Sequence, residues 1–181
     1  LPMLTLGNGK RKVLYLCSTH ATETVAGNVL LAFAHDLLTK QEICAVPCSQ
    51  ALGRNTLYIL PLLNPDGVEI AQGRIQPEDR PRLVFFNDGN EDFTHWQAND
   101  RGVDLNHNFD AEFQRGKTLE REHDIFGPSA TRFGGKEPFS EPETAALRLT
   151  QGTSTRPATG SHTSPKRLLI AIAAAWHTDC E

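Results

Sequence analysis

His20 and Glu23 stand three residues apart, where the strand-like run of residues 13–17 gives way to the small polar turn Ser18-Thr19. An imidazole and a carboxylate at that spacing lie on one face of a helical turn and can converge on a single cation. Zinc accepts both ligand types, and catalytic zinc sites take three protein ligands and a water. The same spacing also serves a capping histidine followed by a first-turn glutamate, so the pair alone leaves both readings open. A second polar cluster, Arg101-Gly102-Val103-Asp104-Leu105-Asn106-His107-Asn108-Phe109, sets polar and turn residues around two aliphatic ones. Neither strand nor helix periodicity explains it, and loops of this composition more often bind something than fill a core.

The elements that must position these groups follow from the apolar pattern. Residues 13–17 read as a buried strand ending at the turn that carries His20. From Thr24 to about Leu38, Val25, Val29, Leu30, Phe33, Leu37 and Leu38 recur at helical spacing, with Lys40 at the end that suits the helix dipole. Residues 56–63 read as a second buried strand closed by Asn64-Pro65-Asp66-Gly67, a turn signal. Residues 71–100 are polar and irregular and read as a surface excursion. Ser140, Pro142 and Glu143 have the types and spacing of a capping box opening a helix, and Glu141 reads with Glu143 as part of that cap. Residues 151–166 have linker-like composition, and 168–175 read as a third buried strand running into Trp176-His177. Strand, helix, strand, excursion, helix, strand predicts an α/β sandwich with a mixed, mostly parallel twisted sheet.

The 181 residues fit a single domain with a real core, and a net charge of −4 without a basic cluster argues against nucleic acid as the main partner. No apolar run is long enough to cross a membrane, and no signal peptide is expected within these residues. The four cysteines, Cys17, Cys44, Cys48 and Cys180, lack zinc-finger spacing. Cys17 reads as a small buried hydrophobe, a Cys44–Cys48 disulfide is open, and a reducing, cytoplasmic compartment is favoured.

Four stretches together resemble the zinc metallocarboxypeptidase family: His20-Ala21-Thr22-Glu23, Leu63-Asn64-Pro65-Asp66-Gly67-Val68, Gly102 through Phe109, and Pro138-Phe139-Ser140-Glu141-Pro142-Glu143-Thr144. The resemblance covers about residues 3–150. It implies a three-layer α/β/α sandwich around a mixed eight-stranded sheet, a Zn2+ cofactor held by His20 and Glu23, and short peptides as substrates. The wording around Trp96-Gln97-Ala98-Asn99 is similar to the bacterial γ-D-glutamyl-L-diamino acid endopeptidase branch, which cuts cell-wall peptides. In that frame Asp104 is the acceptor that orients His20, and Asn106 and His107 contact a substrate carboxylate. Digestive carboxypeptidases have an arginine at the position of His107, and imidazole does not reproduce its bidentate grip. The family often has a basic residue at the position of Gln97 to steady the oxyanion, and Arg101 is the nearby substitute.

The family's third ligand is a histidine at the end of a later strand. Trp176-His177-Thr178 resembles that motif and makes His177 the choice. His162 is the rival by interval, but the residues before it do not make a strand. The family's general-base glutamate comes well after the third ligand, whereas Glu181 follows His177 by four residues. The expectation is therefore one truncated catalytic domain over residues 1–181, poor or inactive as a hydrolase and able to self-associate through an exposed sheet edge. The alternatives are a relative that holds peptide or metal without turnover, and an N-acyl amino acid deacylase of the same superfamily.

Overall fold

The computed structural model describes residues 1–150 together with 169–172. Strands β1 (Leu4–Leu6), β2 (Arg11–Leu16), β5 (Asn55–Leu60) and β6 (Leu169–Ile172) form one sheet in the order β1-β5-β2-β6. β2 runs parallel to both β5 and β6, with Leu14 opposite Tyr58 and Ile170, while β1 lies antiparallel on β5. Between β2 and β5 come α1 (Thr24–Thr39), the small hairpin β3 (Glu42–Ile43) with β4 (Val46–Pro47), and α2 (Cys48–Arg54). Then follow α3 (Pro65–Ala71), α4 (Arg80–Phe86), a 3₁₀ turn at Leu105–His107, α5 (Phe113–Glu122) and α6 (Pro142–Thr150).

Alternation along the strands builds three layers. Val13, Cys17, Leu57 and Ile59 face Leu30, Ala34 and Leu37 of α1 and Cys48 of α2. Leu14, Leu16 and Leu60 face the other way, onto Leu63, Leu105 and Leu147 of α6. Because side chains of a strand alternate between faces, one parallel pair supplies both cores. The α/β/α sandwich with a mixed sheet is therefore the observed fold.

Three sequence expectations need correction, and one open question is answered. The face of α1 is rotated: Gly27, Leu30, Ala34 and Leu37 are buried, whereas Val25, Val29 and Leu38 are exposed. At 100° per residue Val25 lies about 140° around the helix from Leu30, so periodicity alone admitted two stripes. Asn64-Pro65-Asp66-Gly67 is a helix start, not a turn. Asn64 Oδ1 accepts from the Gly67 amide at 3.0 Å and Pro65 occupies the first helical position, where a missing N–H costs nothing.

Residues 71–100 are not merely a surface excursion. Leu83, Phe93, Trp96 and Ala98 form a third buried cluster with Ala21 and Ile70, and the Trp96 indole donates to Ala98 O at 2.8 Å. Finally, Cys44 is an exposed free thiol in the β3–β4 turn and Cys48 a buried free thiol, so the two form no disulfide. Among the described residues, no helix is long and apolar enough to cross a membrane.

Candidate metal centre

The chain leaves β2 through Ser18, whose φ of +54° turns the backbone sharply before His20. Ser18 is held there by hydrogen bonds from its hydroxyl to Glu23 O at 3.2 Å and Pro61 O at 3.3 Å. Asn64 fixes the same turn from the end of β5. Its backbone N–H donates to Ser18 O, and its side-chain amide reaches Thr19 O at 3.2 Å, Gln97 O at 3.2 Å and Ala98 O at 3.0 Å. The turn carrying His20 is thus clamped between two later segments rather than left to its own sequence. Helix α1 approaches so closely that a Cβ on Gly27 would stand 2.5 Å from Pro61 O.

Within that turn, His20 Nδ1 lies 3.0 Å from Glu23 Oε1, and the side chains are 20% and 12% exposed. On the other edge of the ring, Nε2 lies 3.4 Å from Asp104 Oδ1. Asp104 is almost fully buried. Its Oδ1 takes the Asn106 amide at 3.1 Å and its Oδ2 the Arg132 amide at 2.9 Å, while His107 Nε2 stands 3.9 Å from Oδ2. Hydrogen bonds to Asp104 and then Glu23 raise the His20 pKa to about 10, against burial, which lowers it. Burial pushes Asp104 upward, but the His20 hydrogen bond and the charges of His107 and His20 outweigh it and hold the carboxyl below its ordinary value.

The donor geometry fits zinc. Two donors on one tetrahedral zinc, at bonds of ~2.0–2.1 Å, stand roughly 3.3 Å apart. The 3.0 Å between His20 Nδ1 and Glu23 Oε1 is close to that separation. The contact of Nε2 with a buried carboxylate fixes which nitrogen offers its lone pair. Among the described residues no third His, Cys, Asp or Glu completes the set. Both late histidines, His177 and His162, lie outside the described residues.

His20, Glu23, Asp104 and His107 are brought together, and Asn106 joins them through its backbone. Arg101 extends toward a different partner, with Nη1 3.8 Å from Glu141 Oε2 and the side chain 60% exposed. Gln97 accepts from the Thr131 hydroxyl at 2.6 Å. Beyond the Asp104 carboxylate, Asn108 joins the loop to the start of α6. Its amide donates to Gly134 O at 2.7 Å and Ser140 Oγ at 2.9 Å, and its carbonyl accepts from Thr144 Oγ1 at 2.5 Å. Gly135 at φ +86° makes room for this, since a Cβ there would stand 2.8 Å from the Asn108 amide nitrogen. Ser140 and Glu141 serve this network: the Ser140 hydroxyl donates to Glu141 Oε1 at 2.8 Å, and Asn99 donates to Glu141 Oε2 at 2.9 Å. Glu143 is buried with no partner for Oε2, and burial, then the charges of Glu141 and Asp66, raise its pKa.

Sequence reasoning missed Asn64 and Arg132. Asn64 was visible as a capping residue followed by proline. Arg132 had no local signal, because nothing in Thr131-Arg132-Phe133 marks a turn.

Known proteins resemble this chain in sequence and in fold. Residues 3–164 match the zinc carboxypeptidase family model. The γ-D-glutamyl-L-diamino acid endopeptidase 1 of Lysinibacillus sphaericus is 28% identical over 153 residues, covering 81% of this chain and 38% of that protein. Among solved structures, carboxypeptidase A from Helicoverpa armigera superposes with a TM-score of 0.53 at 24% identity, over 82% of this chain and 33% of its own. Thrombin activatable fibrinolysis inhibitor superposes with a TM-score of 0.55 at 21% identity, over 82% and 34%. The chain thus spans well under half the length of these relatives. A match over most of the chain, with a histidine–glutamate pair at the mouth of the first core strand, places it in the zinc carboxypeptidase family.

Proposed function

We propose that this chain is the metal-gripping portion of a zinc-dependent peptidase acting on short peptides, with the γ-D-glutamyl-diamino acid linkage of cell-wall peptides as its substrate class. The observation that carries the reading is the convergence of His20 Nδ1 and Glu23 Oε1, with Asp104 behind the ring. The substrate class rests on the similarity to the Lysinibacillus enzyme. When bound, zinc supplies Lewis acidity toward a carbonyl and an acidified water for attack on the amide.

The chain's own residues do the rest. His20 and Glu23 hold the ion, with His177 as the third ligand. Asp104 accepts from Nε2 and keeps the Nδ1 lone pair directed at the metal. Asn106 and His107, on the outer side of Asp104, contact the substrate carboxylate. Arg101 is the positive group for the oxyanion. It reaches that role by leaving Glu141, an exchange that its exposed position allows at small cost.

Zinc stoichiometry of the wild type against His20→Ala is the test, followed by turnover of a γ-D-glutamyl-diaminopimelate peptide with and without chelator. One zinc per chain that disappears in the variant, with chelator-sensitive hydrolysis, supports the reading. Absence of stoichiometric zinc in the wild type sinks it. Zinc without turnover identifies a relative that holds metal or peptide only, and faster cleavage of N-acyl amino acids identifies a deacylase.

A further inference from the structure

Helix α5 carries two covered charges one turn apart. The side chains of Glu120 and Lys117 are 7% and 17% exposed. Lys117 Nζ donates to Glu120 Oε2 at 2.7 Å and lies 3.1 Å from Oε1. The same ammonium stands 4.4 Å from the centre of the Phe133 ring and 5.3 Å from that of Phe113, so aromatic faces complete its surroundings. Stability is a weak reason for such a pair. Desolvating two charges offsets much of their attraction, and apolar side chains of like volume often serve as well. What an apolar pair could not supply is an acceptor held in one place. Glu120 Oε1 is that acceptor, and it takes the Gly134 amide at 2.9 Å.

Gly134 belongs to the segment that holds Asp104. Residues 125–140 contain neither helix nor strand, so the course of Arg132, Phe133 and Gly134 is set by their neighbours. On one side they bond the loop that begins at Asp104. The Arg132 amide donates to Asp104 Oδ2 at 2.9 Å, the Asp104 amide donates to Phe133 O at 2.7 Å, and the Asn108 side chain donates to Gly134 O at 2.7 Å. On the other side stands the Glu120–Lys117 pair. Gly134 fits between the two, since a Cβ there would lie 2.6 Å from His107 O and 3.2 Å from Glu120 Oε1. Arg132 needs this support. Its φ of +67° is in the left-handed region that a residue with a Cβ seldom adopts, and such strain persists only where surrounding contacts enforce it. Relaxing that φ would carry the Arg132 amide away from Oδ2, and Asp104 would lose a bond that sets its Oδ1 3.4 Å from His20 Nε2.

We propose that Glu120, held by Lys117, is a positioning residue for the metal pair: it pins the Gly134 amide and, through the Phe133–Arg132 turn, fixes the Asp104 carboxylate behind His20. That the imidazole so placed binds zinc rests on the proposed function, whereas the coupling of Glu120 to Asp104 does not. Each link is a hydrogen bond or a short run of backbone, so a shift at Glu120 reaches Asp104 without passing through the core.

The test is a double-mutant cycle on the full chain with Glu120→Gln and Asp104→Asn, read by zinc competition with a chromophoric chelator. Glu120→Gln should weaken zinc roughly tenfold, as loss of an outer partner does, but by less than about twofold in the Asp104→Asn background. Lys117→Met spares the carboxylate and removes the cation that holds it. It should follow Glu120→Gln in both backgrounds, and Lys117→Arg should retain most of the affinity. Thermal melts accompany every variant, and Lys117→Met carries the cycle if Glu120→Gln does not fold. A second readout needs no metal. In the zinc-free chain the His20 Nε2 proton, sheltered by Asp104, should give a downfield NMR signal that Asp104→Asn abolishes and Glu120→Gln broadens or abolishes. Unchanged zinc affinity in Glu120→Gln overturns the proposal. So does an equal fold loss with and without the Asp104 carboxylate, because a merely structural glutamate gives additive losses. A wild-type Nε2 signal in folded Glu120→Gln overturns it as well. No zinc in the wild type, with a signal that still depends on Glu120, leaves the positioning role standing and removes the peptidase reading.

Discussion

His20 Nε2 and Asp104 Oδ1 lie 3.4 Å apart across the ring from Glu23, so one imidazole is held between two carboxylates of different duty. Glu23 is on the metal side and partly exposed. Asp104 is buried, with one oxygen occupied by the Asn106 amide of its own turn and the other by the Arg132 amide 28 residues on. Asp104→Asn keeps the shape and removes the charge that favours an Nε2–H tautomer. Zinc affinity should fall by roughly 10–100-fold, the usual effect of losing an outer acceptor. Competition with a chromophoric chelator checks it, with circular dichroism confirming the fold.

The pH response follows from His20. Its folded pKa, about 10, stands above the ordinary histidine value of 6.5. The metal-free chain therefore has this contribution in full below pH 6.5 and loses it as pH rises through 10. Zinc responds in the opposite sense, since the ion needs the lone pair that the proton holds, and apparent affinity should climb by up to about tenfold per pH unit across that window. Urea unfolding at pH 6 and pH 10, with chelator and with zinc, checks both directions. Stability that falls equally in His20→Asn would show the slope belongs to another group.

Gly27 tests the packing of α1 on the clamp. Helix propensity alone favours alanine by ~1 kcal/mol. A Cβ 2.5 Å from Pro61 O and 3.3 Å from Ser18 Oγ opposes it. Overpacking of this kind costs about 1–3 kcal/mol, so Gly27→Ala should be net destabilising. The shift of the urea midpoint at constant slope is the measurement, and a gain in stability would mean the helix moves freely.

Glu143 is a buried acid with an unsatisfied oxygen. Its pKa is raised by burial, then by Glu141 and Asp66. A carboxyl raised on folding stabilises below its unfolded value of 4.5, and that contribution is lost as pH rises through the folded value. Glu143→Gln should therefore gain on the order of 1 kcal/mol at pH 7 and flatten the stability profile above pH 4.5. Thermal melts at pH 4 and pH 7 decide it.

The strands and the metal pair were legible because each is written locally. Residues 13–17 and 57–60 are continuous apolar runs, as a sheet buried on both faces requires. His20 and Glu23 declare themselves by spacing. What was not legible is written across the chain. Trp96 lies among polar neighbours, and only its packing on Phe93 and Ala21 makes residues 93–98 a floor for the His20 turn. Asn64 fits a turn and a helix cap equally well until the Gly67 amide is found on its side chain. The orientation of α1 was ambiguous because apolar residues occur on both its faces. Arg132 was invisible, since a strained turn imposed by Asp104 has no sequence of its own.

The clamp around Ser18, Thr19 and His20 has a consequence for biosynthesis. Asn64 reaches Thr19 from 45 positions away, and the turn at Arg132 closes on Asp104 from 28. About 110 residues separate Glu23 from Phe133, which at 5–20 residues per second is roughly 6–22 s of translation. Throughout that interval the histidine and glutamate are on the ribosome without the parts that hold them rigid. A cation met then has only two mobile donors, so metallation belongs to the finished fold and not to the emerging chain.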